Sequence, residues 1–298
     1  MRNFLTGLWE AARKEDDYSF ADVKSFLEDF GPNSWVYRPE LRGANSRIFT
    51  REKEYGDSEL MKVFPKVAIT KPIKREVFRR EVVAYMKCQE YSLSGFPIYT
   101  LEGTVMGRFF LVLPYIEGDN LEQALWKEDF SPKDVEEYLP KLARDVGGAH
   151  LVELVHRDLK PANIVVGSDG LYIVDLGLMI SSVRGRDSFF TRNLLVGTPS
   201  NMAPEQIKRE PVSPRSDVYS LGTVLYHIYA GRNPFRENST FDPRKILRRQ
   251  LYGKMEPLAD VCDVSVEMND LVMKCLEIEP SKRPADGLTL SRALEEVL

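Results

Sequence analysis

Cysteine, histidine and long apolar runs are scarce in this sequence. Three cysteines among 298 residues, with no CxxC spacing, disfavour a disulfide framework and a structural zinc site and are typical of a reducing compartment. Three histidines leave too few side chains for a histidine-built metal site. No run approaches the roughly 20 apolar residues of a transmembrane helix. We therefore expect no disulfides, no structural zinc and no membrane span.

A surplus of charge of one sign is also missing. The 41 Lys and Arg against 45 Asp and Glu give a formal net charge of −4. Because binding to nucleic-acid phosphates needs a basic surplus on at least one face, we expect no nucleic-acid partner. The first residues become charged by Arg13 without a long apolar core, so we expect no secretory leader and a cytoplasmic location.

The secondary structure predicted from the residue pattern changes along the chain. Residues 1–35 show apolar side chains at helical spacing, which predicts two short amphipathic helices that dock on the chain's own small lobe or bind a partner. Residues from about 36 to 113 favour short strands with one helix at 74–89, and residues from about 119 onward are mostly helical, with a small hairpin at 163–166 and 172–174. The other predicted helices are 133–151, 216–230, 243–252, 266–276 and 285–298. This pattern predicts an N-terminal helical extension, 1–35, before a domain at 36–298.

The densest polar stretch lies at 156–163. Asp158, Lys160 and Asn163 bring a carboxylate, an ammonium and a carboxamide within six positions. Asp175 follows the apolar run 172–174, so we expect its carboxylate at the end of a strand. Two aspartates and an asparagine suit Mg²⁺, which binds through a few protein oxygens plus phosphates. Lys160 can neutralise negative charge on the phosphoryl group during its transfer. The pattern indicates phosphoryl transfer.

These residues resemble the protein kinase family. Residues 156–163 are similar to its catalytic loop and Asp175-Leu176-Gly177 to its metal-binding triplet. Three further similar blocks follow in the family's order, at 197–205, 216–222 and 283–284. Lys160 and Thr198 resemble the serine/threonine branch, and the segments 203–206 and 216–222 resemble bacterial, eukaryotic-like (Hanks-type) members. The resemblance implies an α+β, two-lobed kinase fold with a β-rich N-lobe and hinge (36–116) and a helical C-lobe (117–298).

By resemblance, Asp158 would orient the attacking hydroxyl and accept its proton, and Lys160 would steady the transferring phosphate. Asn163 would act with Asp175 in holding Mg²⁺. Lys62 would bind the α- and β-phosphates of ATP and would pair with Glu81, which follows it by 19 residues. Lys71 is a less favoured alternative for this lysine. The other residues that the resemblance places at the nucleotide are Gly43, Ile48, Leu60, Leu113, Pro114, Ile116 and Asn120.

The implied activity is transfer of the ATP γ-phosphoryl group to Ser or Thr hydroxyls of protein substrates. Arg157, beside the catalytic aspartate, suggests control by phosphorylation at Ser188 or Thr191. One open alternative is a weak or inactive pseudokinase that acts as a scaffold or allosteric partner, favoured by a glycine loop that keeps only Gly43 and by Leu176 in the triplet. Another is a small-molecule phosphotransferase.

Two further predictions concern polar residues with structural tasks. Asp217 would tie down the backbone of the catalytic loop. Glu205 and Arg283 would form a buried ion pair, since the family's late arginine pairs with the Glu of its Ala-Pro-Glu motif.

Overall fold

The computed structural model describes residues 35–38, 46–52, 58–64, 72–105, 108–128, 130–181, 197–236, 242–253 and 255–298. The helices predicted before residue 35, and Gly43, Lys71, Ser188 and Thr191, lie outside the described residues. The chain divides into two compact units. The first contains Met1–Val82 and Ile98–Tyr115, and the second contains Val83–Pro97 and Ile116–Leu298. The predicted domain limits, 1–35 and 36–298, stay predictions.

The first unit is built on an antiparallel sheet. Its strands are β1 (Val36–Tyr37), β2 (Arg47–Arg51), β3 (Glu59–Val63), β4 (Leu101–Val105) and β5 (Arg108–Pro114). They lie in the order β1-β2-β3-β5-β4. Side chains alternate between the faces of a strand, and the apolar ones of one face pack into a core. That core consists of Trp35, Phe49, Met61, Val63 and Val112.

Helix α1 (Pro72–Glu90) begins in the first unit and ends in the second. In the first unit, aromatic rings attach the helix to the sheet. The Phe78 ring stacks on Phe109 with centroids 4.4 Å apart and meets the edge of Phe64 at 5.0 Å. Such aromatic pairs contribute about 0.5–1.5 kcal/mol beyond the area they bury. These contacts fix the part of the helix that carries Glu81.

The second unit is mainly helical. Its helices are α2 (Leu121–Ala124), α3 (Lys133–Glu136), α4 (Leu139–Leu151), α5 (Pro204–Lys208), α6 (Pro214–Ala230), α7 (Pro243–Tyr252), α8 (Val266–Cys275) and α9 (Gly287–Val297). Its strands are β6 (Leu154–Val155), β7 (Ile164–Gly167), β8 (Gly170–Ile173) and β9 (Ile180–Ser181). Strands β6 and β9 pair, and β7 and β8 form the predicted hairpin.

Most predicted helices are present, but one is divided. The stretch predicted as a single helix, 133–151, forms α3 and α4, because Pro140 stands in the first turn of α4. Proline lacks the N–H that a helix interior needs and is tolerated in the first turn. Helix α9 begins at Gly287, later than predicted, because Asp286 caps it by accepting the Thr289 N–H at 2.8 Å.

Glycine is required where the chain enters the second unit. Gly118 has φ +142°, and a Cβ there would lie 2.0 Å from the Val166 carbonyl oxygen. Any larger residue would displace the adjoining strand β7.

The α+β architecture, with a sheet-based N-terminal unit and a helical C-terminal unit, is confirmed. Among the helices within the described residues, none is long and apolar enough to cross a membrane.

Candidate active site

The carboxylate of Asp158 is held by three donors. Its Oδ1 accepts the backbone N–H of Thr198 at 2.8 Å. Its Oδ2 accepts from Lys160 Nζ at 2.8 Å and from Asn163 Nδ2 at 3.2 Å. The side chain is 10% exposed. The three predicted catalytic residues therefore lie together, and the structure adds a contact from the segment that begins at Gly197.

Gly197 places that N–H donor. Its φ is +118°, a conformation that L side chains rarely adopt, and a Cβ would lie 3.1 Å from the Arg157 carbonyl oxygen. The following Thr198 also accepts Lys160 Nζ on its hydroxyl oxygen at 2.7 Å. Thr198 thus contacts both Asp158 and Lys160 and fixes their side chains.

The backbone of the catalytic loop is fixed by Asp217, as predicted. Asp217 Oδ2 accepts the His156 N–H at 2.7 Å and Oδ1 accepts the Arg157 N–H at 2.9 Å. Burial acts to raise the pKa of Asp217, but the hydrogen bonds from His150 and from the Arg157 N–H act the other way, and the pKa is lowered. The ionised carboxylate therefore holds the loop from within the core.

His150 extends this network to the last helix. Its Nδ1 accepts the Gly287 N–H at 3.1 Å, so the proton is on Nε2, which donates to Asp217 Oδ2 at 3.0 Å. The His150 imidazole therefore links α4, α6 and the start of α9.

Two loop residues adopt left-handed backbone conformations. Arg157 has φ 72° and Asp175 has φ 64°. Such conformations cost about 1–3 kcal/mol and persist where neighbouring groups fix them. The Arg157 N–H is held by Asp217, and its carbonyl accepts from Gln206 Nε2 at 2.9 Å.

Gln206 is a residue that the sequence reasoning missed. Its Oε1 also accepts the Ala203 N–H at 2.9 Å, so one amide joins α5 to the catalytic loop. Its position three residues after Ala203, the cap residue of a short helix, was the available signal.

Oxygen donors suitable for a cation come from Asn163 and Asp175. Both hydrogen bonds of the Asn163 amide group use Nδ2, one to the Asp158 carbonyl at 3.0 Å and one to its carboxylate, and Oδ1 accepts none from the described residues. Asp175 follows strand β8 and is half-buried. Among the described residues no cluster of three or more His, Cys, Asp or Glu forms a complete cation site. The donor set fits Mg²⁺, which binds one or two protein oxygens together with phosphates and waters.

In the first unit, Lys62 on β3 and Glu81 on α1 form the predicted ion pair. Lys62 Nζ lies 2.7 Å from Glu81 Oε1, and the two side chains are 10% and 1% exposed. The Lys62 ammonium also lies 5.5 Å from the centre of the Phe64 ring. A buried pair of this kind keeps both side chains in one geometry.

The strand register places several predicted nucleotide contacts on the Lys62 face of the sheet. Ile48 and Lys62 are opposite each other, as are Leu60 and Leu113. Opposed residues of an antiparallel sheet project to the same side, and residues two apart along a strand do so as well. Ile48, Leu60, Lys62 and Leu113 therefore share one face, opposite the core of Phe49 and Met61.

The segment after β5 carries the remaining predicted contacts. Pro114 ends the strand, and Ile116 forms no hydrogen bond with another described residue, so both of its backbone groups remain available. Asn120 Oδ1 caps α2 by accepting the Gln123 N–H at 2.9 Å.

The predicted pair Glu205–Arg283 is present and buried. Arg283 Nη1 and Nη2 donate to the two carboxylate oxygens of Glu205 at 2.8 and 3.0 Å, and the side chains are 0% and 3% exposed. Ser216 Oγ also donates to Glu205 at 2.7 Å. The pair joins the start of α5 to the segment before α9.

Comparison with known proteins agrees with this geometry. The protein kinase domain family matches residues 42–296. Serine/threonine-protein kinase drp72 of Corynebacterium efficiens is 33% identical over 190 residues, which is 63% of this chain and 35% of that protein. PknL of Mycobacterium tuberculosis is 31% identical over 191 residues, 63% of this chain and 47% of PknL. A putative serine/threonine-protein kinase of Mycoplasma pneumoniae is 32% identical over 211 residues, 63% of this chain and 52% of that protein.

The chain belongs to the protein kinase domain family. Its relatives named above are bacterial serine/threonine kinases, which confirms the resemblance drawn from the motifs. The chain spans about a third to a half of the length of these curated relatives.

Proposed function

We propose that this chain transfers the γ-phosphoryl group of ATP to serine or threonine hydroxyls of protein substrates, with Mg²⁺. A kinase domain implies use of ATP. The observation that carries the proposal is the Asp158 carboxylate, held by the Thr198 N–H, Lys160 and Asn163 in the second unit. Fixed positioning and electrostatics supply most of the catalysis in phosphoryl transfer.

Asp158 would orient the substrate hydroxyl and accept its proton. An ionised carboxylate offers about four acceptor positions, and three donors occupy Asp158. One position therefore remains for the incoming hydroxyl. Removing a positioned general base typically lowers the rate 10²–10⁴-fold.

Lys160 would contact the transferring phosphoryl group. Of the three N–H donors of its ammonium, one points to Asp158 and one to Thr198. The third is not used by any described residue and can donate to a phosphoryl oxygen. Its charge would offset the negative charge that the group carries during transfer.

Asn163 and Asp175 would hold Mg²⁺ through Asn163 Oδ1 and the Asp175 carboxylate. When bound, the ion would neutralise part of the charge of the triphosphate. The proposed role of Asn163 as a ligand is supported by its two hydrogen bonds to Asp158, which both use Nδ2 and leave Oδ1 as the acceptor.

The first unit would supply the nucleotide contacts. Lys62, positioned by Glu81, would donate to the α- and β-phosphates. The apolar side chains on its sheet face, Ile48, Leu60 and Leu113, would contact the adenine. The remaining contacts proposed for ATP are the backbone groups of Pro114 and Ile116, Asn120 at the ribose and Gly43 at the phosphates.

The test compares phosphate transfer to a generic protein substrate from labelled ATP with Mg²⁺. Asp158→Asn and Lys62→Met should each abolish transfer while the circular dichroism spectrum shows that the protein remains folded. Asp263→Asn and Lys245→Met, at exposed positions outside the site, are the matched controls. Wild-type rates in either test variant would refute the role of that residue.

The same assay separates the alternatives. A pseudokinase, which Leu176 in the triplet favours, would not transfer phosphate to any substrate. A small-molecule phosphotransferase would consume ATP with small acceptors but leave proteins unlabelled. Transfer to protein that Asp158→Asn abolishes excludes both.

Autophosphorylation of Ser188 or Thr191 is part of the proposal. Arg157 carries a cation next to Asp158 and would bind the new phosphate. Intact-mass analysis after incubation with Mg-ATP should show added phosphate on one of these residues. Full activity of the Ser188→Ala/Thr191→Ala variant would contradict control by this modification.

We also propose a cytoplasmic location, which the three free cysteines support.

A further inference from the structure

The sheet of the first unit carries buried side chains on both faces. On one face, Lys62 pairs with Glu81 of α1, and Phe78 of the same helix contacts Phe64 and Phe109. Phe64 follows Lys62 by two residues, and its N–H donates to the Phe109 carbonyl at 2.9 Å, so both rings project from the Lys62 face. Helix α1 is therefore the layer that covers this face.

The opposite face, called here the core face, is buried as deeply. Phe49 is opposite Met61, and Met61 is opposite Val112, so the three project together. They are 2%, 5% and 4% exposed, and Trp35 beside them is 6% exposed. Among the described elements of the first unit none lies on this face, because α1 packs on the other. Since an apolar sheet face is buried only where another layer packs on it, a second layer lies on the core face.

Residues 1–34 are long enough to form that layer. They belong to the same compact unit as the sheet. The connections between β1, β2, β3 and α1 are at most nine residues long, and both ends of each are fixed. Neighbouring strands lie about 4.8 Å apart, so the core face measures roughly 10–15 Å across its strands. A helix of about 12 residues spans about 18 Å and is wide enough to cover much of it.

The residues directly before the sheet have the side chains that such a layer needs. Apolar residues recur there at the spacing of one helix face: Phe20, Val23, Phe26, Leu27 and Phe30. Gly31 and Pro32 follow, and the chain then reaches Trp35, which is itself part of the core. The segment therefore ends at the face that it would cover.

The charges of the segment and of the core face are complementary. The margins of the face carry Arg47, Arg51 and Arg108, and one carboxylate, Glu59, pairs with Arg51 at 2.5 Å. The face thus has two more cations than carboxylates among its described residues. Residues 1–34 contain seven Asp and Glu against four Lys and Arg. Their surplus of negative charge favours contact with this face.

We infer that the core face is an interaction surface within the chain and that its occupant is the segment 1–34, with the apolar side chains of 20–30 packed against Phe49, Met61 and Val112. The segment is then a layer of the first unit, and its apolar side is not available to a partner. The inference is independent of the proposed function.

The first test is photo-crosslinking in the full chain. Phe30 is replaced by the photoreactive p-benzoylphenylalanine, whose ketone inserts into nearby C–H bonds and reacts readily with methionine. Irradiation should join position 30 to Met61 or a neighbour on the core face, in a product with the mass of one chain. The same replacement at Ser25, on the opposite side of the predicted helix, is the matched control and should not give this product. Absence of core-face crosslinks from position 30, equal crosslinking from position 25, or a product with the mass of two chains would overturn the inference.

The second test measures the burial of Trp35. In Trp9→Phe/Trp126→Phe it is the one remaining tryptophan. Adding Phe26→Asp should shift its emission to longer wavelength and increase its quenching by acrylamide, because a carboxylate would separate the segment from the core face. Ser25→Asp is the charge-matched control and should change neither value. Phe26→Ala, which buries no charge, should give a smaller shift in the same direction with an unchanged circular dichroism spectrum. Unchanged Trp35 emission in both Phe26 variants would contradict the inference.

Discussion

Arg283 is the buried cation whose removal should destabilise this protein most clearly. Its guanidinium donates two hydrogen bonds to Glu205 and three to backbone carbonyls, those of Arg215, Glu277 and Ile278. It also lies 4.8 Å from the centre of the Tyr219 ring. In Arg283→Met the Glu205 carboxylate would stay buried, with the Ser216 hydroxyl as a remaining donor.

The size of the effect follows from the unpaired charge. Breaking a buried ion pair by removing one partner costs about 3–5 kcal/mol. In chains of 150–250 residues each kcal/mol lowers the melting temperature by about 2–4 °C, so we expect a fall of about 6–20 °C. The double variant Glu205→Leu/Arg283→Met removes both charges and should lose less than the sum of the single variants, because no uncompensated charge is left.

Urea and thermal denaturation of the four proteins in this cycle would measure these values. Arg144→Met is the matched control, because Arg144 pairs with Glu295 at the surface, where the two side chains are 58% and 45% exposed. Exposed pairs contribute about 0–1 kcal/mol. A loss in Arg283→Met no larger than that of Arg144→Met, or strict additivity in the double variant, would refute the reasoning.

Three other predictions address the site. Asp217→Asn should lower stability by about 1–3 kcal/mol and reduce transfer, because the amide group would face an N–H; unchanged urea midpoints and rates would contradict this. Gly197→Ala should lower the rate of phosphate transfer, with a smaller effect on the free energy of unfolding, because it displaces the Thr198 N–H that Asp158 accepts. Gly231→Ala is the control: a Cβ at that position would have no atom within 4 Å, and the rate of transfer should stay unchanged. His227 has a folded pKa of about 4 against about 6.5 unfolded, so stability is lost as the pH falls through this window. We would measure the free energy of unfolding by urea denaturation across this pH range. In His227→Gln its slope against pH should be smaller by up to about 1.4 kcal/mol per pH unit, and an unchanged slope would refute this role of His227.

The predicted helices and the hairpin agree with the structure where local signals act alone. The β7–β8 hairpin follows from two short apolar runs separated by turn residues. The division of 133–151 into two helices was missed, although Pro140 gave a local signal for it. Apolar spacing over the whole stretch outweighed that single residue.

The site depends more on packing. The spacing of 19 residues was enough to pair Lys62 with Glu81. It could not show that Asn120 uses its side-chain oxygen as a helix cap, or that Ile48, Leu60 and Leu113 share the face of Lys62, because register depends on which strands pair. The ion pair between Arg236 and Glu122 likewise joins residues that no motif connects.

The sequence by itself determined the chemistry: which carboxylates, amides and cations are available, in which order, and on which kind of local element. These properties depend on side-chain type and on spacings of a few residues. Only the tertiary structure decided which groups hold one another. Thr198 reaches Asp158 across 40 positions and Asp217 reaches His156 across 61, and such hydrogen bonds form only after buried helices and loops have packed in one arrangement.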